Sequence, residues 1–247
     1  MRYGNLDGKV AIVTGSARGI GKASAQLLAE AGATAIITDI NIEGARTAAR
    51  EFASAGLKAG AFHLDVSSEA SVKETLAEVY ETYKSIDILV NNAGILDPAV
   101  SIPEMTQEKW DRMLAVNLRG MQFCSQHALP YMTKKPGGKI VNIASQAGQL
   151  GGFLAGVHYT AAKGGIIAVS KAYARYCAQF QINVNCICPG FMLTDMTRDR
   201  NDDPQIVPLK RLGTALDVAK AVYFLATDFS DYITGATIDI NGGFYLR

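Results

Sequence analysis

The chain reads as an α/β fold, a single-domain, doubly wound, parallel seven-stranded sheet. Three observations predict it. Short apolar runs alternate with longer amphipathic segments between residues 9 and 241. The apolar runs are near-continuous, as in strands covered on both faces. No linker-like stretch divides residues 1–247, and α/β domains of this length are commonly undivided.

The elements follow in order. KVAIVT at 9–14 is a buried strand, and 19–31 carries apolar residues at helical spacing. TAIITD at 34–39 is the second strand and 43–55 the second helix. The third strand spans 58–66, followed by a helix over 68–83 with Ser67 or Ser68 as its N-cap. A fourth strand at 87–93 leads into a long helix over 106–132, capped by Thr106. A fifth strand covers 139–145, a helix 158–180, a sixth strand 182–188, a helix 215–227 and a seventh strand 236–241.

Composition excludes several classes. Lys+Arg total 24 against Asp+Glu 23, a net charge of +1, which argues against a nucleic-acid footprint. Hydrophobic residues make up 49%, too many for disorder. No apolar run approaches the roughly 18 residues of a membrane span. Residues 1–9 lack the apolar stretch of a signal peptide, so a cytoplasmic protein without nucleic-acid or membrane partners is expected. Cys186 and Cys188 fall in the sixth strand at i,i+2, where alternation places both on one face toward the core. No second C-x-C or His pair completes a zinc site, so no metal is expected.

Ligands of doubly wound sheets bind outside the carboxyl ends of the strands. After the first strand comes Thr14-Gly15-Ser16-Ala17-Arg18-Gly19-Ile20-Gly21, opening a helix. Small residues there let backbone N–H groups and the helix N-terminus face a pyrophosphate. The spacing is G-x-x-x-G-x-G, and a glycine-rich turn without a ligand is the bland alternative. Asp39 ends the second strand, 18 residues past Gly21. An acid there accepts the ribose hydroxyls of an adenosine and repels a 2′-phosphate, which argues for NAD over NADP. Arg18, in the glycine turn, is the competing signal, since it could pair with a 2′-phosphate.

Together with Asn91-Asn92-Ala93-Gly94, Ser145, the Tyr159-x-x-x-Lys163 pair and Pro189-Gly190, these residues resemble the short-chain dehydrogenases/reductases. The resemblance spans about residues 9–245 and implies a Rossmann-type sheet. The terminal ITGATIDINGG also resembles the bacterial 3-oxoacyl carrier-protein reductase branch and its alcohol-oxidising cousins. The resemblance implies that Gly15, Arg18, Gly19, Ile20 and Gly21 line the pyrophosphate. Asp39 and Ile40 would hold the adenosine ribose, Asp65 and Val66 would flank the adenine, and Asn92 and Gly94 would lie near the ribose links. Residues 187–194, with Pro189, Gly190, Met192 and Thr194, would lie near the nicotinamide. A homotetramer is implied, joined through 106–132, 158–180 and the last strand.

Tyr159 and Lys163 stand at i,i+4 and share a helix face. A free Tyr has a pKa of about 10, and a nearby ammonium would favour its phenolate. Tyr159 is thus the expected acid/base, with Lys163 also binding the nicotinamide ribose. Ser145 would hold the substrate oxygen. The resemblance implies that Asn117 holds a water linking Lys163 to solvent. Taken singly, a Tyr among ten, a helical Lys or a turn Ser is ordinary packing, surface or capping. His158 beside Tyr159 could be a relay, but adjacent helix positions point about 100° apart.

Gln146, Ala147 and Leu154, with Leu96 and Met192, are candidate substrate contacts beside Ser145 and Tyr159. A second loop at 191–209 is highly charged and reads as a solvent-facing lid, with a charged substrate contact as the lesser reading. In the carrier-protein branch, basic residues near the mouth meet the carrier. Arg175 fits one such position, but Pro136 occupies the other, beside Lys134 and Lys135. With Asp39, this favours an NAD-linked oxidoreductase for a secondary alcohol, such as a polyol, sugar derivative or hydroxylated ring, and its ketone. A 3-oxoacyl carrier-protein reductase using NADPH or NADH is the alternative. A noncatalytic dinucleotide-binding protein would lack the need for Tyr159 and Lys163.

Overall fold

The computed structural model describes residues 3–97, 100–152 and 155–246, apart from the side chain of Asp199. Its main sheet holds seven parallel strands in the order β3-β2-β1-β4-β5-β6-β9. These are β1 (Val10–Thr14), β2 (Thr34–Asp39), β3 (Ala59–His63), β4 (Ile88–Asn91), β5 (Lys139–Ile143), β6 (Asn183–Pro189) and β9 (Thr237–Ile240). Two further strands, β7 (Met192–Leu193) and β8 (Gly213–Thr214), pair with each other outside it. The chain runs outward from β1 to β3 and then crosses back to place β4 on the other side of β1. That reversal opens a crevice at the carboxyl ends of β1 and β4, where such sheets take ligands.

Alternating side chains divide the core between the two faces. Ala11 and Val13 of β1 face α1 (Gly19–Glu30), α2 (Ile42–Ser54) and α8 (Ala215–Ala226), through Leu28, Phe52 and Val222. Val10 and Ile12 face α3 (Glu69–Tyr83), α5 (Gly120–Met132) and α7 (Val157–Cys177), through Leu76, Met132 and Ala174. Each fully buried Leu or Ile contributes about 1.5–3 kcal/mol. Cys186 and Cys188 share one face of β6 and are packed with Met121, Ala144 and Ile166.

Capping follows the sequence signals. Ser68, rather than Ser67, accepts from Ser71 N at the start of α3. Thr106 accepts from Lys109 N at the start of α4 (Gln107–Leu114). The expected long helix over 106–132 is interrupted by a π-helical turn at Ala115–Arg119, which joins α4 to α5. The third strand also stops short of 66, because the Asp65 carboxylate turns back to accept from Ser67 N and Oγ. A short α6 (Ala147–Leu150) follows β5.

At the opposite, amino end of the sheet, buried Asp87 ties the strand starts together. It accepts from Val10 N at 2.9 Å and Ser85 Oγ at 2.7 Å, and pairs with Lys135 at 2.8 Å. Burial pushes the Asp87 carboxyl up, but the contacts from Lys135, Val10 and Ser85 outweigh it and hold the group below its ordinary value. Among the described residues, no helix is long and apolar enough to cross a membrane.

Candidate active site

A cleft of about 860 Å³ runs along the carboxyl ends of the strands, from Gly15, Asp39 and Asp65 to Ser145, Tyr159 and Lys163. The glycine turn is held from behind. Asn92 Nδ2 donates to the carbonyls of Thr14 and Gly15, both at 2.9 Å. The Thr14 hydroxyl accepts from Asn92 N and Ala93 N at 3.0 and 2.9 Å. Gly15 and Gly19 have φ of +61° and +59°, a region open to glycine, so these two positions let the turn close.

Gly21 does not line the cleft. A Cβ there would overlap the Gly15 carbonyl oxygen and come within 2.6 Å of Asn92 Nδ2. Its place is the packing of α1 against the turn.

Asp39 stands at the far end of the cleft. One oxygen accepts from Ala17 N at 3.1 Å and the other from Asn41 N at 3.0 Å. These bonds fix the carboxylate beside the glycine turn. Arg18, Ile20, Ile40, Val66 and Gly94 also line the wall, as do Pro189, Gly190, Met192 and Thr194 toward the other end. Ile187 is fully buried beneath them. The long channel, its positive-φ glycine turn and the terminal carboxylate fit a dinucleotide. Gln146 Oε1 adds a buried acceptor without a partner among the described residues, on the cleft wall beside Gly190.

At the reacting end, Ser145 hydrogen-bonds Tyr159, and its Oγ accepts from Ala147 N at 3.1 Å. Burial pushes the Tyr159 phenol above its ordinary value; the Ser145 hydrogen bond and the positive charge of Arg200 act the other way. Lys163 is not among the groups that lower the phenol here. Lys163 Nζ donates to Ile143 O at 2.9 Å and stands 5.7 Å from the Tyr159 ring centroid. Burial pushes Lys163 itself down from 10.5 to about 8, opposed by the neighbouring thiols of Cys186 and Cys188.

Asn117, in the π-helical turn, does not line the cleft. Its Oδ1 accepts from Ile95 N at 2.8 Å and its Nδ2 donates to Ile95 O at 2.9 Å. It pins the segment after β4, and Gly94 leaves the space between Asn117 Oδ1 and Lys163 Nζ open. Behind it, Asn91 donates to Asn142 Oδ1 at 2.7 Å and Asn142 to Ser170 Oγ at 2.9 Å, tying β4, β5 and α7 together. His158 is fully buried, away from the cleft, with neither ring nitrogen partnered among the described residues. Ala147 and Leu96 line the cleft, while Leu154 lies outside the described residues. Sequence reasoning missed Arg112, on α4, which pairs with Asp97 on the rim, and Arg200; their only signal was charge, on a helix and in a loop.

A family model described as enoyl-(acyl carrier protein) reductase matches residues 15–245. The chain is 40% identical to a 3-oxoacyl-[acyl-carrier-protein] reductase of Aquifex aeolicus, over 97% of this chain and 98% of that one. It is equally 40% identical to that of Escherichia coli, over 98% and 99%. A crystal structure of a candidate gluconate dehydrogenase from Agrobacterium tumefaciens superposes with a TM-score of 0.94 at 35% identity, over 99% of this chain and 98% of that one. The fold and site define a dinucleotide-dependent oxidoreductase, and the chain belongs to the short-chain dehydrogenase/reductase family. It is an enzyme acting on CH–OH groups with a nicotinamide dinucleotide and a small-molecule substrate.

Proposed function

We propose that the chain interconverts the ketone of a 3-oxoacyl compound and the corresponding secondary alcohol, with NADH as reductant. The observation that carries the reading is the convergence of Ser145, Tyr159 and Lys163 at one end of a cleft that has Asp39 at the other. The 3-oxoacyl reductases among its relatives support the substrate class. The nicotinamide, when bound, supplies or accepts the hydride at the substrate carbon. Ser145 holds the substrate oxygen. Tyr159, kept as a neutral phenol by burial, gives that oxygen its proton in reduction and takes it back in oxidation. One ketone, one NADH and one proton thus give one alcohol and NAD. Lys163 orients the nicotinamide ribose, and Asn117 holds a water on the path that resupplies the proton. The carboxylate of Asp39 favours ribose hydroxyls over a 2′-phosphate.

A free small molecule fits better than a substrate delivered on a carrier. Lys135 pairs with Asp87 at the amino end of the sheet, and Lys134 lies 3.9 Å over the Tyr80 ring. Arg175 is in the last turn of α7, at the far end of the helix from Tyr159. A polyol or sugar-acid substrate is the second reading, favoured by the likeness to the gluconate dehydrogenase candidate. The tetramer is proposed to form through α4, α5, α7 and the last strand, β9.

The test is Tyr159→Phe, followed as NADH oxidation with 3-oxoacyl substrates. Turnover falls by about 10³-fold, in the range of a lost general acid, while the NADH Kd holds. Near-normal turnover contradicts the assignment.

A further inference from the structure

The lid that sequence reasoning turns toward solvent puts a cation into the cleft. Arg200 closes a single 3₁₀ turn at Arg198–Arg200, and Asn201 after it has a φ of +50°, which reverses the chain there. The side chain is 30% exposed and lines the cleft with Ser145 and Tyr159. Its Cζ stands 6.0 Å from the Phe191 ring centroid, itself on the cleft wall. Asp202, which does not line the cleft, takes only Nη2, at 3.3 Å. The other N–H groups of the guanidinium have no hydrogen bond among the described residues.

The other charges at this end of the cleft are matched differently. Arg112 Nη1 faces both oxygens of Asp97, at 3.2 and 3.4 Å. Asp195 faces Arg198 at 4.0 Å. Arg112 also engages through one nitrogen and Lys163 keeps donors of its own, but Arg112 is 60% exposed against 30% for Arg200, so Arg200 is the better sheltered guanidinium with donor capacity left for an incoming group. A guanidinium presents a rigid fork of donors that matches a carboxylate, and the flanking aromatic ring limits its contact with water. Its positive charge is also felt at the Tyr159 phenol, so it stands close to where the reaction occurs.

We propose that Arg200 receives the carboxylate of the substrate, so that the site takes a free oxo or hydroxy acid in preference to its ester, thioester or a neutral polyol. This rests on the ketone–alcohol reading above and narrows it. It makes Arg200 a specificity-determining residue carried by the lid, with Asp202 and Phe191 holding it in place.

The test compares NADH-linked reduction of 3-oxobutanoate and methyl 3-oxobutanoate by the unaltered enzyme, Arg200→Gln and Arg200→Lys. The unaltered enzyme prefers the acid in kcat/KM. Arg200→Gln lowers the acid-to-ester ratio by about tenfold or more, through KM for the acid, as expected for a lost charged hydrogen bond. Arg200→Lys keeps part of the preference. Equal use of acid and ester by the unaltered enzyme overturns the proposal. So does an equal fall with both substrates, which would mean that Arg200 acts on Tyr159 alone. A weakened NADH Kd in Arg200→Gln would assign the residue to the cofactor instead.

Binding of butanoate and butanamide to the enzyme–NAD complex, by calorimetry, separates this proposal from the reaction. Butanoate binding that depends on Arg200 without turnover of either ketone would sink the reaction and keep the anion site. Butanoate binding unaffected by Arg200→Gln would sink the anion site whatever the turnover.

Discussion

The two ends of the cleft are built differently. The dinucleotide end is made of strand termini and backbone. Gly15 and Asn92 are locked to each other, and both oxygens of Asp39 accept main-chain N–H groups. The substrate end adds to Tyr159 and Lys163 of α7 a wall of side chains from the segment after β6, Asp195, Met196 and Arg200, with Arg112 of α4 on its rim. A shared cofactor needs one geometry, which the sheet supplies rigidly, whereas substrates differ and are met by segments that can change without disturbing the core.

The largest expected break in that contrast is Gly21→Val. The new side chain would meet Gly15 and Ser16 backbone that cannot yield, costing about 3 kcal/mol of stability and most of the NADH affinity. Met196→Val, at a position 51% exposed in the lid, should change the unfolding free energy read from urea melts by no more than about 0.5 kcal/mol. A milder cost at Gly21 than at Met196 would abolish the distinction.

Lys163→Met sharpens it at the junction of the two ends. Burial holds Lys163 down at about 8, so the folded state pays for its charge at neutral pH. That penalty is complete below pH 8 and is lifted as pH rises toward 10.5, the ordinary value. The apolar replacement should stabilise the cofactor-free protein by about 1 kcal/mol at pH 7 and remove turnover. The gain should shrink between pH 8 and 10.5, as followed by thermal unfolding. A destabilised variant at pH 7 would mean that the bond to Ile143 O outweighs the buried charge.

The same contrast decides what could be read from sequence. The succession of strands and helices and the glycine turn were legible because apolar runs, helical spacing and a Gly-rich strand-to-helix junction are local patterns. The π-helical turn around Asn117 was not, since it differs from an α-helix by one hydrogen-bond register and leaves no compositional mark. The β7–β8 pair, of two residues a strand, is too short to show a period. Gly21 was legible as part of the glycine motif, but its packing against Asn92 depends on a residue 71 positions later. Arg200 was hidden because a charge run in a loop gives no direction; the turn at Asn201 and the ring of Phe191 set it.

The fixed carboxylate of Asp39 is proposed to select the cofactor at the dinucleotide end. Paired titrations with NADH and NADPH test it, on the unaltered protein and on Asp39→Ser, following quenching of Trp110, the one Trp of the sequence and on α4, and energy transfer to the nicotinamide. Tighter NADH than NADPH binding is expected, by about tenfold or more, with loss of that preference in Asp39→Ser. Tighter NADPH binding by the unaltered protein would contradict it and give the selection to Arg18.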